Sequence, residues 1–98
     1  MTTRRPILAP IGKLGMGALN AHDIARAACL VVIREGRMVV SVDEEGEVFV
    51  TPIEHPFTHA LMRQYSDHVV GTYAPGATTD DIRGDLTAHW KAARAAAA

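Results

Sequence analysis

Residues 29–51 read CLVVIREGRMVVSVDEEGEVFVT, and this stretch decides the predicted fold. It predicts a three-stranded antiparallel β-meander, because runs of β-branched residues are separated by glycine-containing turns. Glu35-Gly36 has the form of a two-residue hairpin loop, and Glu44-Glu45-Gly46 that of a three-residue turn with glycine at the bulge position. The second turn places Val42 opposite Val48 and Val40 opposite Val50.

The predicted register divides the side chains between two faces, because successive residues of a strand point to opposite sides of the sheet. The residues of one face are all apolar: Val31, Ile33, Met38, Val40, Val42, Val48 and Val50. The other face has an apolar centre made of Leu30, Val32, Val39 and Phe49. A sheet that is apolar on both faces needs a cover on each, from its own chain or from a partner.

Three helices are predicted around the meander. Asn20 is a suitable N-cap for a short helix over residues 20–28, and Asp23 suits its first turn. Two C-terminal helices are predicted over residues 56–69 and 79–95, where apolar residues recur at helical spacing. The predicted fold class is therefore α+β, with the helices packed on the meander.

Residues 1–18, MTTRRPILAPIGKLGMGA, predict an extended apolar N-terminal arm, since they contain prolines and glycines and show neither a helical nor a strand period. Residues 19–98 are predicted to form a single α+β domain. The arm carries Ile7, Leu8, Ile11 and Leu14, whose exposure to water would cost free energy. The arm is therefore expected to lie on a surface, either its own sheet or another chain.

Composition and charge exclude several classes of function. The net charge of -1 gives no basic field for phosphate, so a nucleic-acid partner is disfavoured. The single cysteine, Cys29, excludes an internal disulfide framework and is predicted to be buried. No secretion signal is recognised and no apolar run reaches membrane-spanning length, so a cytoplasmic protein without a membrane partner is expected.

The histidines provide the candidate metal ligands. His55 and His59 are four residues apart and would share one helical face, a spacing that zinc sites use. The sequence has neither the H-E-x-x-H motif nor paired cysteines, so no metal and no other cofactor is predicted. The simpler interpretation makes His55 a cap at the helix entrance and His59 a surface residue.

The acidic cluster at Asp43, Glu44, Glu45 and Glu47 is the candidate for acid-base chemistry. Carboxylates on a hairpin tip are solvated, whereas a catalytic carboxylate needs a pKa shifted by burial or by a neighbour. The cluster is therefore interpreted as a charged turn that discourages edge pairing. No catalytic residue is assigned, and a non-enzymatic role is favoured.

The second face of the sheet and the arm together carry more apolar surface than a monomer of this size easily buries. This excess favours a small protein-interaction module that oligomerises or serves as an accessory or structural component of a larger assembly. A viral or other particle assembled in the cytoplasm is one such setting. The alternatives are a small metal-binding protein using His55 and His59, and an enzyme with an unrecognised site. The predicted partner-binding residues are Ile7, Leu8, Ile11, Leu14, Leu30, Val32, Val39 and Phe49.

Overall fold

The computed structural model describes residues 10–15 and 19–97 and confirms the α+β class. In this part of the chain a four-stranded antiparallel sheet, where three strands were predicted, packs with three α-helices. The strands are β1 (Pro10–Lys13), β2 (Met38–Val42), β3 (Glu47–Pro52) and β4 (Val69–Tyr73). The helices are α1 (Ala21–Glu35), α2 (Pro56–Gln64) and α3 (Thr79–Ala97), and a 3₁₀ turn spans Ser66–His68.

The strand order β1-β3-β2-β4 interleaves two split β-α-β units. β1 and β2 run parallel on either side of β3 and are joined by α1, while β3 and β4 flank β2 and are joined by α2. The β1-to-β2 and β3-to-β4 connections both cross one strand toward the β4 edge of the sheet. They start from β1 and β3, which are antiparallel to each other. Right-handed crossovers, which are strongly preferred, therefore put α1 and α2 on opposite faces.

The main core lies between one face of the sheet and the helices α1 and α3. Val40, Val42, Val48 and Val50 supply the sheet side of this core. The helices contribute Ile24, Ala28, Val32, Ile82, Leu86 and Trp90. At the edge of this core the Tyr73 hydroxyl donates a hydrogen bond of 2.7 Å to Asp85 Oδ2 on α3. The predicted apolar face is thus covered by the chain's own helices, although it lacks the strand expected at residues 29–34.

The predicted first strand of the meander is wrong, because residues 29–34 continue α1, which does not stop at residue 28. Ala21, Ala25, Ala28 and Val32 recur at helical spacing and are all buried. This stripe packs with α3 in the core, and tertiary packing overrides the β propensity of residues 31–33.

Gly36 is the C-cap of α1 and does not turn a hairpin. Its φ is 102°, and its N–H bonds to the Val32 carbonyl at 2.9 Å. The longer helix changes the faces assigned to its residues: Val32 is 1% exposed in the core, whereas Leu30 and Ile33 are 55% and 61% exposed. Leu30 and Val32 therefore do not belong to the second face of the sheet.

The second hairpin of the meander is confirmed with its register. Val40 pairs with Val50 and Val42 with Val48. Gly46 has a φ of 91°, as expected for the glycine at the bulge position of the predicted three-residue turn. The Asp43 carboxylate accepts hydrogen bonds from the N–H groups of Glu45 and Glu47 at 2.8 and 2.9 Å, which fixes the turn.

Two short strands were missed. Pro10–Lys13 of the predicted arm pairs with β3, and Leu14 beyond it is buried. The helix predicted over 56–69 ends at Gln64, and Val69–Tyr73 forms β4, in keeping with its β-branched and aromatic residues. The helix predicted over 79–95 is confirmed and runs to Ala97.

Residues 1–9 and 16–18 of the predicted arm lie outside the described residues. None of the helices described combines the length and apolar character needed to cross a membrane.

Candidate protein-binding groove

An open groove of about 340 Å³ lies between α2 and the face of the sheet opposite α1 and α3. β2 and β3 supply its floor, α2 forms one wall, and residues after α2 close one end. Its lining comprises Ser41, Val42, Asp43, Phe49, Thr51, Phe57, Leu61, Tyr65 and His68. The face that the sequence left without a cover is therefore covered in part by α2.

Local interactions position α2 over this face. Thr58 is fully buried, and its Oγ1 donates a hydrogen bond of 2.6 Å to the Pro52 carbonyl. His55 caps the helix, since its Nδ1 accepts a hydrogen bond from the Phe57 N–H at 3.0 Å. Val39 on β2 and Leu61 on α2 are both buried, with relative exposures of 0% and 8%. With nine residues, α2 is too short to bury the whole face, and Phe49 and Phe57 stay partly exposed along the groove.

Tyr65 and His68 form the end of the groove beyond α2. Their rings stack with centroids 5.6 Å apart and planes inclined by 21°. Tyr65 is 52% exposed, so its ring presents an apolar surface to solvent at the rim. The groove therefore combines an apolar floor with an aromatic rim, a composition typical of protein interfaces.

A second cavity of about 400 Å³ adjoins the groove and is more polar in its residues. It lies among the β2–β3 turn, the 3₁₀ turn and the C-terminal half of α3, and shares Val42, Asp43 and His68 with the groove. Its other lining residues are Glu44, Asp67, His89, Trp90, Ala93, Arg94 and Ala96. The Arg94 guanidinium lies 5.1 Å from the centre of the Trp90 ring.

The charges of this second cavity favour cations. Asp43, Glu44 and Asp67 supply three carboxylates, and Arg94 is the basic residue of the described lining. Burial and the nearby His68 lower the pKa of His89, although Asp67 opposes the shift, and this favours the neutral form of His89. A cationic group that reaches this end of the groove would therefore meet negative potential.

The metal and acid-base candidates are not assembled into a site in the described part of the chain. The Nδ1 lone pair of His55 is used in capping α2, and His59 is exposed on that helix. Within residues 10–15 and 19–97, no three His, Cys, Asp or Glu side chains are arranged to hold a metal. Asp43 holds the turn, while Glu44 and Glu45 are exposed at its tip. Cys29 is buried, with its thiol 3.5 Å from the Ala77 carbonyl.

The structure scatters the predicted partner-binding residues. Ile7 and Leu8 lie outside the described residues. Ile11 packs against the core, while Leu14, Val32 and Val39 are buried within the chain. Leu30 is exposed on α1, across the sheet from the groove, and Phe49 lines the groove.

Sequence reasoning missed the α2 wall of the groove. Phe57, Leu61 and Tyr65 form an apolar stripe at four-residue spacing within the helix that was predicted over residues 56–69, and the prediction assigned no site to them. The aromatic content of that stripe was the available signal, since Phe57 and Tyr65 are large residues at the two ends of a short helix.

The chain matches no protein-family model, no curated protein and no solved structure.

Proposed function

We propose that this chain is a small, non-enzymatic protein-interaction module that binds a partner protein through the groove between α2 and the sheet. The observation that carries the proposal is the open apolar floor beside α2, edged by Phe49, Phe57 and Tyr65. Aromatic side chains around a concave apolar site are the usual energetic centre of an interface. The groove's volume of about 340 Å³ suits individual side chains of a partner segment.

The partner chemistry follows from the order of surfaces along the groove. Apolar side chains of the partner pack on Phe49, Phe57 and Leu61. A basic residue beside them reaches the carboxylates of Asp43 and Asp67 in the adjoining cavity. Electrostatic complementarity of this kind fixes orientation and speeds association. The proposed partner is therefore an extended segment that carries apolar residues next to a lysine or arginine.

In this proposal the chain serves as an oligomerising, accessory or structural component of a larger assembly. The segment that it binds belongs to another protein of that assembly. The fold suits such a role, because α1 and α3 cover the main core on one face of the sheet, while the groove beside α2 is open among the described residues.

Peptide selection tests the proposal without knowledge of the partner. Random peptides displayed on phage are selected on the full chain, and the affinities of the recovered peptides are measured by fluorescence anisotropy. The expected consensus holds apolar residues beside lysine or arginine. Phe57→Ala is expected to weaken binding at least tenfold, about 1.4 kcal/mol, because it removes one of the three aromatic side chains that edge the groove.

Ile33→Ala is the matched control, since Ile33 is a large exposed apolar residue on α1, across the sheet from the groove. It should leave the affinity within twofold. Circular dichroism of both variants checks that they fold. Peptides that bind Phe57→Ala and wild type equally would contradict the proposed site.

A further inference from the structure

We propose that His68 and His89 make the acidic end of the groove sensitive to pH, so that acidification releases a partner whose basic residue is held there. The inference rests on the proposed function of the groove and adds its regulation. The two histidines come from different elements, the 3₁₀ turn and α3.

His68 stands between the apolar groove and the adjoining acidic cavity, because it lines both of them. Its ring stacks on the ring of Tyr65, with centroids 5.6 Å apart. A basic side chain that extends from the groove floor toward Asp43 and Asp67 therefore lies close to the His68 imidazole. A positive charge on this ring acts directly on the bound cation.

His89 faces the same cavity from α3 and is half-buried. Burial and the charge of His68 lower the pKa of His89, whereas Asp67 raises it. His89 therefore takes up its proton at a pH below the ordinary histidine value of about 6.5. Its contribution to partner release adds to that of His68 as the pH falls.

The formal charge of the cavity depends on these two histidines. The other charged residues of its described lining are Asp43, Glu44, Asp67 and Arg94. With both imidazoles neutral, three carboxylates and one guanidinium give a charge of −2, and two protonated imidazoles bring it to zero. On α3, Asp85 lies one helical turn before His89 and accepts a hydrogen bond from the Tyr73 hydroxyl.

The direction of the effect follows from these charges. Carboxylates ordinarily ionise at about pH 4 and histidines at about pH 6.5, so a change from pH 7.5 to pH 5.0 mainly protonates the histidines. The negative potential that attracts a lysine or arginine is then cancelled. Binding of a basic partner should therefore weaken on acidification.

Peptide affinity at two pH values tests the inference. A selected peptide with one lysine or arginine and no histidine is titrated into the full chain at pH 7.5 and pH 5.0, in low salt. The wild type should bind at least threefold more weakly at pH 5.0, since each protonated imidazole offsets an exposed charge interaction worth about two- to fivefold in affinity. In H68Q/H89Q the two affinities should agree within about twofold. A double variant that loses as much affinity as wild type would overturn the inference.

His59→Gln is the matched control, because His59 is exposed on α2 and lies outside the described lining of both cavities. It should keep the pH dependence of wild type. A version of the peptide with methionine in place of its basic residue should bind equally at both pH values. An equally large loss for the methionine peptide would contradict the charge mechanism. Circular dichroism at pH 5.0 checks that each variant is folded.

Histidine titration supplies a readout that a purely structural role of His68 does not move. A cation bound beside an imidazole opposes its protonation, and this linkage is reciprocal. The imidazole C–H resonances of His68 and His89 should therefore titrate at lower pH with the basic peptide bound, while those of His59 stay unchanged. Identical titrations with and without the peptide would argue against the proposed contact.

Phe57→Ala separates this inference from the proposed function. Equal affinities of wild type at the two pH values, with binding still weakened by Phe57→Ala, would remove the pH sensitivity alone. Binding that is unaffected by Phe57→Ala would remove the proposed function as well.

Discussion

Gly46 holds the β2–β3 turn in a positive-φ conformation that is strained for any other residue and leaves little room for a side chain. Its φ is 91°, and a Cβ there would lie 3.1 Å from the Trp90 ring and 3.2 Å from the Leu14 carbonyl oxygen. The turn therefore packs closely against both α3 and the chain after β1. A side chain at Gly46 would disturb three elements at once.

Gly46→Ala is expected to destabilise the protein by about 2–3 kcal/mol, through backbone strain and displacement of Trp90. Gly84→Ala is the contrasting variant, because Gly84 lies in α3 with no neighbouring atom within 4 Å of an added Cβ. It should stabilise the protein by about 0.5–1 kcal/mol through helix propensity. Urea unfolding measures both changes, and a stabilising Gly46→Ala would contradict the packing described.

His89 is expected to make the stability of the protein depend on pH. Burial and His68 lower the pKa of His89 in the folded protein, so the unfolded chain binds a proton more readily below about pH 6.5. The free energy of unfolding should therefore fall as the pH drops from about 6.5 through the lower folded pKa. His89→Gln should reduce the loss of stability between pH 7.5 and pH 5. If the urea midpoint falls between pH 7.5 and pH 5 by as much in His89→Gln as in wild type, His89 is not responsible for the pH dependence.

At the scale of elements, α1 is the part of the fold that differs most from the sequence prediction. In the predicted strand Ile33 faced the core and Val32 the second face, whereas in α1 Val32 is buried and Ile33 exposed. Val32→Ala is therefore expected to destabilise the protein by about 2 kcal/mol, while Ile33→Ala should cost less than about 0.5 kcal/mol. Thermal or urea unfolding compares the two variants. A larger loss for Ile33→Ala would favour the strand over the helix.

Elements with local determinants were predictable from the sequence. The β2–β3 hairpin follows from a glycine turn between two alternating strands, and its register was predicted because a short turn fixes pairing. α3 was predicted because its apolar residues recur at helical spacing.

Elements that depend on distant partners were not predictable. β1 and β4 are short, and their pairing with β3 and β2 is set by residues far along the chain. The β-branched residues 31–33 became helical because α1 packs with α3, which local propensity does not reveal. For the groove, Phe49 was identified but its aromatic neighbours on α2 were not, because the face covered by α2 depends on the strand order.

The whole molecule presents two different faces of one sheet. α1 and α3 complete a buried core on one face, while α2 leaves the groove on the other. We expect the acidic end of that groove to make binding of the proposed partner segment sensitive to salt, because exposed charge pairs are screened by ions.

Asp67→Asn should weaken binding of a selected basic peptide by about two- to fivefold at low salt, the size of an exposed ion pair. The difference from wild type should shrink at high salt. Asp80→Asn, at the exposed start of α3, is the charge-matched control and should have no effect. Equal losses in both variants would indicate a general charge effect, without a specific contact at Asp67.

Chemical-shift mapping of a selected peptide tests the central claim most directly, since it locates binding on the folded full chain. Titration of the peptide into ¹⁵N-labelled protein should shift the amide resonances of the groove, around Phe49, Phe57, Leu61 and Tyr65. The exposed face of α1 around Leu30 and Ile33 should be unaffected. Shifts centred on Leu30 and Ile33, with the groove unperturbed, would contradict the account.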